Sequence, residues 1–417
     1  MVAQNLCEPE ASLSKVILTC TNELPSPTWN HLNINGINLK VPAVEGFDEQ
    51  AWIAPKIRPK RDVPAYNVSD DHAFDAPEGT AAPAGPWARE SENSQAAKPV
   101  GGMGPAATAW LEAAGKQKTI VVEATGDGTK PLYVVDLDDP QVGELAVLDI
   151  NVQENAQAEL VLISSNRADT AAALGTLDTR GWLVRVNAAD GARVKINEFI
   201  ACDSSVQMLS NLGFCLANGA TADISQYCLG SQILALGCAA DLVGKSAALN
   251  VDARYVGRGT EQLDFGYSVR NRGVKTVSNL SLHGVLVDEA NKSLRSTIDL
   301  VHGAKGASGV ENESVVLVGE GVVNKTLPVI LCNEDDVAGT HGASVGEIDP
   351  SQLAYMATRG ITSDDARELM MEATYSAAFA AAQHIPQAYE AVYRAACRAF
   401  GEDIAQELAA DLEGGLS

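Results

Sequence analysis

No stretch of the chain carries the roughly 18 uninterrupted apolar residues that a membrane-spanning helix needs. The most apolar segment, Leu229 to Val243, is broken by Gln232 and Asp241, so no membrane helix is expected. The opening MVAQNLCEPEASLSK lacks a basic stretch followed by an apolar one. Neither a signal peptide nor lipidation at Cys7 is therefore expected, and the protein is expected in the cytoplasm. Positive charge is scarce: 30 Lys and Arg face 54 Asp and Glu, and the net charge of −24 repels phosphate backbones. Nucleic acid and acidic partners are thereby excluded. The eight cysteines (7, 20, 202, 215, 228, 238, 332 and 397) contain no CxxC pair, so no zinc knuckle or redox motif is expected. In a reducing compartment they read as thiols, most of them small buried apolar side chains. Aromatic residues make up only 5% of the chain against 36 glycines, which favours small, closely stacked elements over a core built on large rings.

Catalytic signatures are missing as well. No G-x-S-x-G elbow is present, and no Ser-His-Asp or Cys-His order stands out. The segment Ala239-Ala-Asp-Leu-Val-Gly244-Lys245-Ser246 ends like a phosphate loop but has Ala where the first Gly must turn backbone amides toward a phosphate. It lies among short strands, so nucleotide binding is not expected there.

What is present is a chain long enough, at 417 residues and 46% hydrophobic content, to bury a core in two or three domains. Residues 1–115 are dense in Pro, Gly and polar side chains and read as an irregular, partly helical region. ASLSKVIL and AATAWLEAAGK are its candidate short helices, and DAPEGTAAPAGPWARESENSQAAKPVGGMGP reads as a linker. Residues 116–342 carry short alternating runs such as TIVVEA, AELVLISS, ARVKINEFIA and AALNVDARYV, each a half-buried strand by its period of two. Gly191, Gly219, Gly244 and Gly273 introduce successive strand sets at intervals of about 25 to 29 residues with no helices between. That period points to a solenoid, and a mainly β chain with a right-handed parallel β-helix core is the preferred reading. A β-sandwich shares the alternation and stands as the alternative.

Residues 343–417 switch to helical spacing. Asp349 with Pro350 marks one helix start, and Thr362 with Asp365 marks a second. Pro386 ends that second helix, and Val392, Ala396, Phe400, Ile404 and Leu408 lie on one stripe of a last one. Such stripes serve either as intradomain core or as a partner surface.

One candidate site stands out. In Asn333-Glu-Asp-Asp-Val-Ala-Gly-Thr-His341-Gly-Ala-Ser-Val-Gly346, three carboxylates precede a histidine flanked by small residues. Such an imidazole, on a Gly-lined turn, either reaches a metal or hydrogen-bonds locally. His283 and His302, each followed by Gly, are weaker candidates.

The segment CNEDDVAGTHGASVGEIDPSQLAYMATRGI, residues 332–361, resembles the SufB/SufD family of iron–sulfur cluster assembly scaffolds. The matching features, in order, are His341-Gly342-Ala343, Gly346-Glu347-Ile348-Asp349, Tyr355 and Arg359-Gly360-Ile361. LPSPTWNHLNI is similar to the family's N-terminal Pro-x-x-x-Trp region, and GASGVENESVVLVGEG to the polar turn before its last coil. Gly342, directly after the histidine, points to the SufD side of the family. Some SufD proteins carry Cys two positions before the histidine; here Gly339 stands there, and Cys332 is too distant in sequence to replace it.

The resemblance implies a non-enzymatic scaffold with no stably bound cofactor. Its partners would be a SufB-like scaffold, met through the β-helix, and a SufC-like ABC ATPase, met through the C-terminal helices. A transient iron–sulfur cluster would form at the SufB interface, with His341 the candidate metal contact, and reduced flavin is a candidate cofactor of the complex and not of this chain. ATP-driven dimerisation of SufC would pull on Leu353, Tyr355, Met356, Arg359 and Ile361 and open the interface. The alternatives are a self-pairing, SufB-like homodimer and, on β-helix analogy alone, a polysaccharide-active enzyme.

Overall fold

Alternation of apolar and polar residues, with turn residues at a near-constant spacing, lets each segment bury one face only by stacking on the previous coil. The computed structural model describes residues 15–24, 36–44, 47, 98–124, 130–165, 177–347 and 350–414, and its body is that stack. One wall is β3 (Lys116–Val122), β5 (Leu145–Val152), β7 (Asp178–Ala188), β9 (Val206–Leu216), β11 (Ile233–Leu242), β13 (Gln262–Asn271), β15 (Asn291–Leu300) and β17 (Val323–Cys332). The other is β4 (Leu132–Asp136), β6 (Gln157–Ser165), β8 (Arg193–Ala201), β10 (Thr221–Gly230), β12 (Ala248–Gly257), β14 (Val277–Val287), β16 (Ser308–Val318) and β18 (Ala338–Glu347).

Both walls are eight-stranded, and their ladders are parallel throughout. This is the expected parallel β-helix. A sandwich of the immunoglobulin kind requires antiparallel sheets, which these ladders rule out. Side-chain ladders on the outside repeat the coil period: Asn250 donates to Asp223 Oδ1 at 2.7 Å, 27 residues away, and Asn279 donates to Asn250 Oδ1 at 2.9 Å, 29 residues away. Inward residues from both walls, among them Ile150, Val186 and Leu236 of the first and Leu160, Ile196 and Ile224 of the second, form one continuous core.

The N-terminal region is less irregular than its composition predicts. Lys15–Thr21 is a strand, β1, paired antiparallel with β2 (Ile37–Pro42), where ASLSKVIL reads as a helix. Val16 and Ile17, β-branched residues, favour the strand once a partner strand exists. AATAWLEAAGK does form a helix, α1 (Pro105–Ala114), whose Trp110 and Leu111 are buried against Leu183, Leu209 and Ala235 of the first wall. Two glycines make this covering possible: a Cβ on Gly237 would lie 2.2 Å from Met103 N, and one on Gly102 would lie 2.1 Å from Cys238 N. Most of the linker and of LPSPTWNHLNI lies outside the described residues.

The C-terminal helices follow their sequence signals closely. α2 spans Pro350–Thr358, and α3 spans Ser363–Ala382 behind a capping box in which Thr362 and Asp365 bond reciprocally. α4 (Pro386–Phe400) and α5 (Glu402–Gly414) divide the single last helix that the apolar stripe suggests. Gly401, at φ 87°, breaks it by adopting a conformation that costs a side-chain-bearing residue more. The stripe is core, not free surface. Tyr375, Phe379, Val392 and Ala396 pack over Phe199, Tyr227, Leu229 and Val256 on the outside of the second wall. Tyr375 Oη donates to the Leu229 carbonyl at 3.0 Å, and Arg398 Nη2 to the Ala201 carbonyl at 2.6 Å.

Candidate functional site

His341 lies on β18, an edge strand, and not on a turn. Glycines at 339, 342 and 346 hide the strand from a propensity reading; pairing with β16 imposes it. β18 thereby carries the solenoid past residue 342 to Glu347. The polar GASGVENESVVLVGEG segment is likewise largely strand, β16, not a turn.

Register fixes the direction of His341. It pairs with Glu311, whose neighbours two residues away, Gly309 and Glu313, share its buried face. Paired residues of a parallel ladder project to the same side, so His341 stands over the interior of the solenoid at the end that no described residue covers. The imidazole is exposed. Gly339 lies against Ile330 and Leu300, and a Cβ there would sit 3.1 Å from Ile330 Cγ2. Apolar packing therefore fills the place of the absent thiol. Cys332, the one fully exposed cysteine among those described, ends β17 and contacts the Glu334 carbonyl at 3.4 Å.

Below His341 the interior holds a polar lane that no sequence motif announced. Lys292, 0% exposed at its side chain, forms an ion pair with Glu313 and donates to Asn324 Oδ1 at 3.1 Å and Thr326 Oγ1 at 2.9 Å. Glu313 also accepts from Tyr255 Oη at 2.8 Å and Thr326 Oγ1 at 2.6 Å. Burial pushes the Lys292 ammonium down from its ordinary range, against the pull of Glu313. Deeper in, Glu198 accepts from Trp182 Nε1 at 3.0 Å, from Ser210 and from Gln226, and Gln226 accepts from Tyr267 Oη at 2.7 Å. Burial raises the Glu198 carboxyl despite these donors. Glu311 differs from both. It is 1% exposed, burial raises its carboxyl, and Oε2 has no hydrogen-bond partner among the described residues. The lane had one sequence signal: in Glu311-Asn312-Glu313 the two acids share a strand face, and β-alternation directs both inward.

The remaining candidates do not join this group. His283 is exposed on the outer face, and the imidazole of His302 lies 3.7 Å from Glu334 at a surface turn. Among the described residues no three His, Cys, Asp or Glu side chains converge as a metal cluster. The cysteines at 202, 228 and 238 are buried, and burial pushes the Cys202 thiol up to about 12, which makes it inert. The phosphate-loop-like segment has its amides engaged in coil stacking: Gly244 N bonds Leu216 O, Lys245 N bonds Asn218 Oδ1 and Ser246 N bonds Val274 O. None of these is left for a phosphate.

On α2, Tyr355 is 60% exposed and stacks under the Arg359 guanidinium at 5.1 Å from the ring centroid. Met356 and Ile361 are half-buried, and the Ile361 amide bonds the Met356 carbonyl at 3.1 Å. Leu353 lies on the same helix, but its side chain is outside the described residues. α2 packs against α3 and presents Tyr355 and Arg359 outward. No helix among the described residues is long and apolar enough to cross a membrane.

A parallel β-solenoid with a helical bundle covering one wall defines the architectural class, and comparison narrows it. The family described as "SUF system FeS cluster assembly, SufBD core domain" matches residues 134–374, from β4 into α3, and the chain belongs to that family. It is similar to the iron-sulfur cluster assembly protein SufD of Bacillus subtilis, 33% identical over 116 residues, which cover 28% of this chain and 26% of that protein. It is 27% identical over 160 residues to SufD of Escherichia coli, covering 38% of this chain and 37% of that one. A SufBD family protein of Mycobacterium leprae is 25% identical over 181 residues, covering 43% and 21%. The chain thus spans well under half the length of the curated relatives it matches.

Proposed function

We propose that this chain is a SufD-type scaffold subunit for iron–sulfur cluster assembly in the cytoplasm, pairing with a SufB-like scaffold and a SufC-like ATPase. The observation that carries the reading is the last coil, which no described residue caps. β17 and β18 are edge strands with no further strand paired to them among the described residues, and His341 stands at that edge facing the interior. A second scaffold meeting this end encloses the imidazole between two chains. Iron and sulfide are cargo there, and this chain contributes position and a nitrogen donor without turning over a substrate of its own. No cofactor is held stably by this chain, and any reduced flavin belongs to the complex.

The ATPase contact falls on α2. α3, α4 and α5 spend most of their apolar residues on the solenoid and on each other, with Leu369 of α3 left exposed, whereas Tyr355 and Arg359 of α2 remain outward. Because α2 follows β18 within a few residues, a pull on α2 acts on the strand that carries His341. Gly342 favours the SufD-type role over a self-pairing homodimer.

The test is co-expression with a SufB-like and a SufC-like protein. The wild-type chain should co-purify with both. Tyr355→Ala should lose the ATPase while the melting temperature stays unchanged. His341→Ala should keep both partners and lower cluster yield on reconstitution. Absence of an ATPase from the wild-type complex, or cluster formation at full yield by His341→Ala, overturns the corresponding half of the reading.

A further inference from the structure

We propose that Glu311 and His341 together form this chain's half of a divalent transition-metal site at the open end of the solenoid, with a Glu311 oxygen beneath the imidazole. The inference rests on the reading of His341 as a metal contact and adds a second donor to it.

Two buried glutamates on β16 make the case by contrast. Glu313 is satisfied on all sides by Lys292, Tyr255 and Thr326. Glu311, two residues away on the same face and equally buried, leaves Oε2 without a partner in hydrogen-bonding geometry among the described residues, and the nearby Ser296 hydroxyl, His341 imidazole and Lys292 ammonium favour its charged form without outweighing burial. A carboxylate oxygen withdrawn from water without a partner is costly, and evolution of a stable core removes it unless something else satisfies it. Lys292, the adjacent cation, is committed to Glu313, Asn324 and Thr326.

The residue paired with Glu311 across the ladder is His341. Neighbouring strands lie about 4.8 Å apart, so two same-face side chains at paired positions can share one ion. One imidazole nitrogen with one carboxylate oxygen suits first-row divalent metals such as Fe²⁺ and Co²⁺, whereas Mg²⁺ and Ca²⁺ favour all-oxygen shells. Since no third His, Cys, Asp or Glu joins them among the described residues, water or a partner chain completes the shell. An open shell is the arrangement from which a metal can be handed on.

The full chain, titrated with Co²⁺ in excess Mg²⁺ to occupy surface carboxylates, tests this by calorimetry and visible absorption. The wild-type chain should show one site. Glu311→Gln and His341→Ala should each weaken it about tenfold or more, while His302→Ala leaves it unchanged. Glu311→Gln should melt no lower than wild type, because an orphaned carboxylate has been removed. Undiminished Co²⁺ binding by Glu311→Gln, with loss in His341→Ala, overturns the inference and leaves the reading of His341 standing; no change in either overturns both. A wild-type chain without a site overturns the inference, and the cluster-yield test then decides His341 alone. If Glu311→Gln does not fold, Glu311→Asp decides: it keeps the charge but retracts the oxygen, and unaltered binding by it overturns the proposal.

Discussion

Lys292 shows how far burial of a charge depends on its partners. Its ammonium and the Glu313 carboxylate are both withdrawn from water inside the solenoid, and three further polar groups complete their shells. Removing the cation alone leaves a buried, uncompensated carboxylate. Lys292→Met is therefore expected to cost about 3 to 5 kcal/mol. Adding Glu313→Gln should restore much of it, because an amide oxygen can still accept from Tyr255 and Thr326. Urea unfolding of the single and double variants measures both. Equal stabilities for single and double variants would show that the pair is not coupled. At this scale the sequence was least legible. Lys292 looks like any strand lysine, and only three-dimensional stacking reveals that its partner is 21 residues away on the opposite wall. His341 was legible as a chemical group, but its inward direction came from register.

Elements were easier to read than residues wherever local chemistry sets them. The Thr362–Asp365 capping box placed a helix start correctly and Pro386 marked the break between α3 and α4, because caps and prolines act within one turn. β1 and β18 were misread because their conformation comes from pairing with β2 and β16, a non-local effect. The junction between helices and solenoid was invisible in sequence, and it contains a titrating group. Glu261, between β12 and β13, accepts from Arg258 N at 2.9 Å and is faced by Arg258, Arg398 of α4 and Tyr375 of α3. Burial outweighs the two guanidinium groups and lifts its carboxyl from 4.5 to about 7. The folded state therefore binds this proton more tightly than the unfolded state does. That contribution is fully present below pH about 4.5 and is lost as the pH rises through about 7, on the order of 3 kcal/mol in all. Glu261→Gln should flatten the fall in melting temperature between pH 5 and 8. A slope identical to wild type would place the titration elsewhere.

At the scale of the whole molecule, the solenoid has two ends with different equipment. The first coil directs Lys116 and Lys118, paired with buried Ala146 and Leu148, to the interior side and leaves Val121 and Leu132 exposed on the outer face, whereas the last coil combines His341, Glu311 and exposed Val345. Edge strands of a parallel stack are templates for another chain, and a charge pointing inward at the edge blocks that use. Val345 pairs with buried Val315 and so faces the interior, yet it is 50% exposed because no described residue caps the coil. Val345→Lys should leave the isolated chain within about 0.5 kcal/mol of wild type, since the ammonium reaches water. In a mixture with a SufB-like scaffold it should lower association at least tenfold, because pairing would bury that ammonium without a partner. Val121→Lys, which places an ammonium on the outer face of the edge strand at the opposite end, should associate as wild type does. Light scattering coupled to gel filtration separates the cases. If Val121→Lys weakens association and Val345→Lys does not, the partner caps the first coil, and His341 then faces solvent in the complex.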